Sequence, residues 1–216
     1  DRSLALSMPK SWDAFFGKFG RLTPIQRKAI PIILDGKDCL VVSATASGKT
    51  EAAIAPLVER SYLLPDDSTI LYVSPTRALV NDLYERIYNP LNMLNLSLRR
   101  RTGEHKDNLK RADVILTTPE SFDSMLCRGS LPEQSSHILA TVTAIVIDEV
   151  HLTLGSARGE QLRWLIKRLR KLRDFARSEG IIKSSDLQTI ALSATVPNPQ
   201  SVMEKFLAGD QIAEVS

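Results

Sequence analysis

The chain has 216 residues, of which 43% are hydrophobic, 25% charged and 6% aromatic, with 10 Gly and 11 Pro. That profile excludes disordered, collagen-like and coiled-coil chains, and at about 100–200 residues per domain it fits one large folded domain. Lys+Arg 28 against Asp+Glu 25 leaves a net charge of +3, compatible with a nucleic-acid partner but too mild to argue for one.

The first helix is predicted over Pro24–Leu34 and is followed by a strand over Asp38–Ser43 and a helix over Gly48–Leu63. A strand over Thr69–Ser74, a helix over Arg77–Leu94 and strands over Leu96–Arg101 and Ala112–Thr117 come next. The chain continues with a helix over Pro119–Cys127, a strand over Val142–Ile147, a helix over Gly159–Ser178, a strand over Leu187–Ser193 and a helix over Pro199–Leu207. Short β-rich runs alternating with longer helical stretches predict a doubly wound α/β fold, a mostly parallel sheet with helices on both faces. No repeat, low-complexity tract or long linker divides the chain; Gly129–Ser136 and Ser178–Asp186 read as polar loops.

Cys39 and Cys127 are too few and too far apart for a disulfide framework or zinc site, which predicts a reducing, intracellular setting: the cytoplasm, or the nucleoid or nucleus if the partner is DNA. No apolar stretch approaches the roughly 18 residues of a membrane span, so no membrane partner is expected. The start, Asp1-Arg2-Ser3, shows no signal peptide, and the missing initiator Met suggests a trimmed chain.

In an open α/β sheet, ligands sit at the carboxyl ends of the strands. After the strand Asp38–Ser43 comes Ser43-Ala44-Thr45-Ala46-Ser47-Gly48-Lys49-Thr50, with the spacing of a phosphate-binding loop. A loop entering a helix N-terminus aims backbone N–H groups at phosphates; Lys49 would reach the terminal phosphates and the Thr50 hydroxyl would ligate Mg²⁺, the alternative being a chance Gly-Lys-Thr at a helix start, and the context decides between them. Ser43 and Ala46 stand where glycines are common, so the loop is expected to close without positive φ at either. The buried strand Val142–Ile147 runs into Asp148-Glu149-Val150-His151, two carboxylates suited to holding a hydrated Mg²⁺ (Asp148) and to orienting and deprotonating water (Glu149). Ser193-Ala194-Thr195 follows the last strand.

The order of phosphate loop, Asp-Glu-Val-His and Ser-Ala-Thr resembles motifs I, II and III of superfamily-two helicases. Phe19-Gly20-Arg21-Leu22-Thr23-Pro24-Ile25-Gln26 resembles the Q motif, Pro75-Thr76-Arg77-Ala78-Leu79 resembles motif Ia, and Thr117-Thr118-Pro119-Glu120-Ser121 resembles motif Ib. The wording of the phosphate loop, the Val-His ending and Gly155-Ser156-Ala157-Arg158-Gly159-Glu160-Gln161-Leu162-Arg163 are similar to the large helicase-related (Lhr-like) branch. The resemblance implies a RecA-like P-loop NTPase domain over residues 1–216, with 1–36 as a Q-motif extension, and a second RecA-like domain absent from this chain.

It further implies ATP and Mg²⁺ as cofactors, with Lys49, Asp148 and Glu149 catalytic and Thr50 and Asp148 on the metal. Gln26 would read adenine, and Thr45, Ala46, Ser47, Gly48, Lys49 and Thr50 would bind the phosphates. Trp12, Phe15, Phe16 and Phe19 either stack on the base or pack the N-terminal helix. Thr76, Arg77, Gly103, Thr118 and Pro119 would line a track for the sugar-phosphate backbone of single-stranded or partly duplex DNA or RNA. The basic run Arg99-Arg100-Arg101 with Lys106, Lys110 and Arg111 either extends that track or forms a solvated edge. His151, Ser193 and Thr195 would couple nucleotide state to the strand, and the isolated domain is expected to be monomeric and nearly inactive, lacking the second domain's arginine finger. The alternative is an ATP-gated nucleic-acid clamp or scaffold without unwinding; the intact set Lys49, Asp148 and Glu149 argues against it.

Overall fold

The computed structural model describes residues 1–64, 67–128, 137–196, 198–207 and 212–214; the segment Gly129–Ser136, expected as a polar loop, lies outside the described residues. Short aliphatic runs form β1 (Cys39–Val42), β2 (Thr69–Val73), β3 (Leu98–Arg101), β4 (Val114–Thr117), β5 (Val142–Ile147), β6 (Gln188–Ser193) and β7 (Ile212–Glu214). Their spatial order is β3-β4-β2-β5-β6-β1-β7, and all of these strands pair in parallel; an isolated antiparallel bridge joins Arg101 to Lys106 beyond β3. Every residue of β1, β2, β4 and β6 is buried, because helices cover both faces and leave no polar side to alternate with.

Two short helices, α1 (Arg2–Ser7) and α2 (Trp12–Phe16), lead into α3 (Pro24–Leu34), α4 (Lys49–Ser61) and α5 (Arg77–Met93). On this face Phe15, Ile33, Ile54 and Ile87 share a core with Val41, Tyr72 and Val146. The buried Glu59 carboxylate of α4 accepts from the Ser11 N–H at 2.8 Å and the Ser11 hydroxyl at 2.9 Å, anchoring the start of α2. The opposite face carries α6 (Pro119–Arg128), α7 (Ala157–Ser178) and α8 (Pro199–Phe206), with Phe122, Leu165 and Phe206 against Leu71 and Ile145.

Local chemistry sets the helix starts. Thr23 and Gln26 form a capping box on α3, with Pro24 in the first turn. Thr76 caps α5 and Asn198 caps α8 through their side-chain oxygens. Ser156 accepts from the Gly159 N–H at 3.2 Å, so α7 begins at Ala157 and not at Gly159 as the sequence predicts. Gly159 itself is required by packing, since a Cβ there would stand 2.0 Å from the Thr153 carbonyl oxygen. The strand predicted from Leu96 begins at Leu98 because the Ser97 N–H and hydroxyl both donate to Asp113 Oδ2, at 2.7 and 2.8 Å. The strand β7 is absent from the sequence-based prediction.

At the amino ends of the strands, opposite the ligand edge, Arg173 of α7 is buried and donates to the carbonyls of Ala140 at 2.5 Å, Ser184 at 2.8 Å and Asp186 at 3.3 Å. It ties the segment before β6 to the segment before β5. Arg173→Met keeps the stem but strands those carbonyls, and is expected to cost about 3 kcal/mol. Thermal denaturation should therefore show a midpoint lowered by about 6–12 °C, with nucleotide binding at the far edge unchanged below the transition.

Candidate functional site

An all-parallel sheet delivers the residues that follow its strands to one edge. After β1 the chain enters α4 through Gly48, whose φ of +87° places it in the left-handed region. The position requires glycine twice over, because a Cβ would also meet Gln26 Nε2 at 2.3 Å. Ala46 also takes a positive φ, +57°, contrary to the expectation that the loop closes without one there. A non-glycine residue in that region costs about 1–2 kcal/mol, so the tight path of the loop carries local strain at Ala46. Ser43 shows no positive φ.

Lys49 is buried, and its ammonium donates to the carbonyls of Ser43 at 2.5 Å and Ala44 at 2.7 Å. Burial holds its pKa below the ordinary 10.5, opposed by the charges of Glu149 and Asp148. Ser47 Oγ is buried without a hydrogen-bond partner, and no side chain caps the start of α4. Orphaned polar groups at a helix N-terminus suit an anion. Gln26 is buried between its own helix and this loop: Oε1 accepts from the Thr23 N–H at 2.9 Å, and Nε2 donates to the Gly48 carbonyl at 3.2 Å. Among the four N-terminal aromatics, Phe15 and Phe16 are buried and Trp12 packs on Phe16 at 5.4 Å between centroids. Phe19 alone of the four is open, 60% exposed, with Lys18 over its ring.

From β5 comes the acidic pair. Asp148 Oδ2 accepts from the Ser74 hydroxyl and Oδ1 from the Glu149 N–H, both at 3.0 Å. Burial first and the neighbouring Glu149 second raise the Asp148 pKa above 3.8. Glu149 sits at φ +45°, a left-handed corner that turns its side chain off the strand line. Thr45, Ala46, Ser47, Gly48, Lys49 and Thr50 line a cleft of about 490 Å³ together with Asp148, Glu149 and residues of α5. Thr50 and Asp148 offer one hydroxyl and one carboxylate, a donor set that suits Mg²⁺ completed by phosphate oxygens and water. Among the described residues no cluster of three or more His, Cys, Asp or Glu could hold a metal by itself.

His151 bridges the acidic pair to the end of β6. Its Nδ1 lies 3.1 Å from Ser193 Oγ, and the Ser193 hydroxyl donates to the Thr195 carbonyl at 2.8 Å. That hydroxyl has one proton, already given to Thr195, so His151 Nδ1 must be the donor to Ser193. Glu149 Oε2 is 3.2 Å from the same nitrogen yet not hydrogen-bonded to it.

A second cavity of about 760 Å³ opens beside the cleft, lined by Thr76, Arg77, Gly103 and Thr118, with Arg101, Lys106 and Arg158 adding positive charge. Pro119, the first residue of α6, lies between the lining residues Thr118 and Glu120. Arg77 abuts Gly103, where a Cβ would stand 2.8 Å from its Nη2, and pairs with Glu104 at 2.8 Å. The basic run divides. Arg101 and Lys106 face the cavity, whereas Arg100 stacks on Tyr84 at 4.0 Å and bonds Asn81, and Arg99 donates to its neighbour's carbonyl. Cys39 is buried with its thiol pushed up to about 12 by burial, and Cys127 is exposed; both are free.

Sequence reasoning missed Ser74, which holds Asp148; Arg158, which pairs with Glu120 across the second cavity; and Tyr72, whose hydroxyl is buried beside Thr50 and Asp148. Ser74 directly precedes motif Ia and Arg158 stands in the Lhr-like segment, so both were visible as motif neighbours. Tyr72 was visible only as a phenol inside an aliphatic strand.

A phosphate loop between β1 and α4, facing the carboxylates that follow β5 two strands away on the same edge of a parallel sheet, makes this a RecA-like P-loop NTPase domain. Residues 23–202 match the DEAD/DEAH box helicase family, and the chain belongs to it. It is 32% identical to the ATP-dependent helicase Lhr-Core of Saccharolobus solfataricus over 215 residues, covering 90% of this chain and 23% of that protein. It is also 32% identical to the Lhr helicase/probable uracil glycosylase of Mycolicibacterium smegmatis, covering 94% of this chain and 14% of that protein. Among solved structures, Mycobacterium smegmatis helicase Lhr bound to ssDNA and AMP-PNP matches with a TM-score of 0.73 at 30% identity, over 94% of this chain and 27% of that one. The DEAD-box helicase Mss116 bound to ssRNA and UDP-BeF shares the fold, with a TM-score of 0.76 at 21% identity over 94% of this chain and 42% of that one. Among the described residues no helix is long and apolar enough to cross a membrane.

The buried acid makes a stability prediction. The folded chain holds the Asp148 proton more tightly than the unfolded chain, so stability falls as pH rises from the ordinary 3.8 through the raised folded value. Asp148→Asn removes the buried charge while keeping the shape. Its thermal midpoint at pH 7 should exceed that of the parent, and the difference should close as the pH falls through the folded-state pKa; a lower midpoint at pH 7 would contradict a buried, penalised carboxylate.

Proposed function

We propose that residues 1–216, with 1–36 as the Q-motif extension, are the first of two RecA-like domains of an Lhr-like ATP-dependent DNA or RNA helicase. Joined to the second domain, it would couple ATP hydrolysis to translocation or unwinding. The observation that carries this reading is the convergence of Lys49 with Asp148 and Glu149, from different strands, on one cleft. Beside it, on the same edge, opens the cavity that holds the motif Ia and Ib residues.

In this reading the loop amides of Thr45–Thr50 and the Lys49 ammonium hold phosphates, and Thr50 with Asp148 holds Mg²⁺. When bound, the metal supplies positive charge against the phosphate oxygens. Gln26 retains one amide proton and one carbonyl lone pair beyond its two bonds in the fold, which suits the donor and acceptor edge of adenine. Glu149 orients the attacking water and takes its proton. His151, Ser193 and Thr195 carry a change at Glu149 toward the strand.

Thr76, Arg77, Gly103, Thr118 and Pro119 hold the sugar-phosphate backbone, a contact set that reads no sequence. The single-stranded nucleic acid in the Lhr and Mss116 structures supports a strand of DNA or RNA as the partner. An arginine finger contributes about 10³–10⁵ in rate, so this chain alone should bind nucleotide and turn it over slowly as a monomer.

The test is an equilibrium titration of the chain with Mg-ATP and Mg-GTP, beside Lys49→Ala. Preference for ATP, and affinity weakened at least about tenfold in the variant, is the expected result. Equal affinity of parent and variant would overturn the reading. In the longer protein, Glu149→Gln should bind ATP normally and lose nucleic-acid-stimulated hydrolysis; unchanged hydrolysis would remove Glu149 from its assigned role.

A further inference from the structure

Tyr72 is wholly removed from solvent, at 0% exposure the first of the large buried side chains. It stands on β2 within Thr69-Ile70-Leu71-Tyr72-Val73, opposite Leu116 on β4 and Val146 on β5. Its ring belongs to the core face that α3, α4 and α5 cover. The hydroxyl at the end of that ring makes no hydrogen bond of good geometry, yet it lies within interaction range of just two polar groups, the Thr50 side chain and the Asp148 carboxyl group. Buried phenols almost always find a partner, and phenylalanine would fill the same space without the desolvated oxygen. Packing alone does not account for a tyrosine at this position.

The surroundings define what the oxygen can do. Asp148 already accepts from Ser74 on one oxygen and from its neighbour's N–H on the other, and each carboxylate oxygen has room for a further donor. Thr50 has the reverse need. A hydroxyl whose lone pair faces a cation must send its proton elsewhere, to an acceptor on the side away from the metal. A phenol supplies both functions at once, accepting from Thr50 and donating to Asp148. A phenol carries its proton at neutral pH, so the donor is in place.

We propose that Tyr72 is a positioning residue of the nucleotide cleft, its hydroxyl linking Thr50 to Asp148 and holding both in the orientation that captures Mg²⁺. The inference rests on the assignment of Thr50 and Asp148 as the metal-holding pair.

The test is Tyr72→Phe in the same chain, read by binding of a fluorescent ADP across a Mg²⁺ titration, by the same binding in EDTA, and by thermal denaturation. The expected result is a rise on the order of tenfold in the Mg²⁺ concentration that gives half-maximal binding, as for other partners that orient a metal ligand. Affinity in EDTA should be unchanged, because the phenol acts on the nucleotide only through the metal-holding pair, and the thermal midpoint should stay within a few degrees of the parent, because phenylalanine fills the same space. An unchanged Mg²⁺ requirement would overturn the proposal. So would a lowered midpoint with affinity lost equally in EDTA and Mg²⁺, which would make Tyr72 a packing residue. Parent protein that binds ADP with no dependence on Mg²⁺ would instead overturn the metal assignment of Thr50 and Asp148, and the Tyr72 link with it.

Discussion

The structure is organised around three charges gathered in one cleft, one buried and two half-buried. Lys49, Asp148 and Glu149 come together at the carboxyl edge of a sheet buried on both faces, and two of them show the penalty in their shifted pKa values. A buried charge neutralises itself or moves unless polar groups hold it. Here the Ser43 and Ala44 carbonyls hold the ammonium, and Ser74 and the Glu149 N–H hold the Asp148 carboxylate. These groups are fixed by strand ends, so the parallel order of β1, β2 and β5 is the condition for keeping the charges in place.

One of those strand ends serves both cavities. Ser74, just past β2, bonds Asp148; two residues later Thr76 caps α5, and Arg77 turns into the neighbouring cavity. A shift of this short segment would be felt at the carboxylate and at the proposed strand track alike. Two arginines of that track are already paired, Arg77 with Glu104 and Arg158 with Glu120. Such solvent-exposed pairs are worth about 0.2–1 kcal/mol, so phosphate oxygens can replace the glutamates at little cost while the guanidinium groups stay oriented toward the cavity.

Much of this was legible in the sequence because the informative chemistry is local. The helix over Pro24–Leu34 and the strand over Val142–Ile147 match their predicted bounds, the first through Thr23, Pro24 and Gln26 and the second through the apolar run Ala144–Ile147, which is wholly buried. Elements set by contacts distant in sequence were less visible. Leu96 and Ser97 fall outside β3 because Asp113 takes the Ser97 donors, and the three residues of β7 carry no run of their own and depend on pairing with β1. In the site, the phosphate loop and the acidic pair each lie within one short stretch and could be read directly. The left-handed Ala46 could not, since an alanine gives no sign of positive φ. Ser74, Arg158 and Tyr72 gain their meaning only from neighbours on other strands and helices.

The same dependence on distant partners governs the connection from the acidic pair to β6. Ser193 spends its proton on the Thr195 carbonyl and so can only accept from His151. Glu149 Oε2 stands 3.2 Å from that same imidazole nitrogen without a bond to it. One N–H is thus placed between two acceptors, and the arrangement shown gives it to Ser193. A rotation of Glu149 that captured the proton would leave the Ser193 hydroxyl held only by its own bond to the Thr195 carbonyl. In the proposed reading Glu149 holds the attacking water; while it does so the imidazole proton stays with Ser193, and a Glu149 without that water is the one placed to take it. The contact ties the Val-His ending to the end of β6: a side chain with no N–H at position 151 would leave the ends of β5 and β6 without this link.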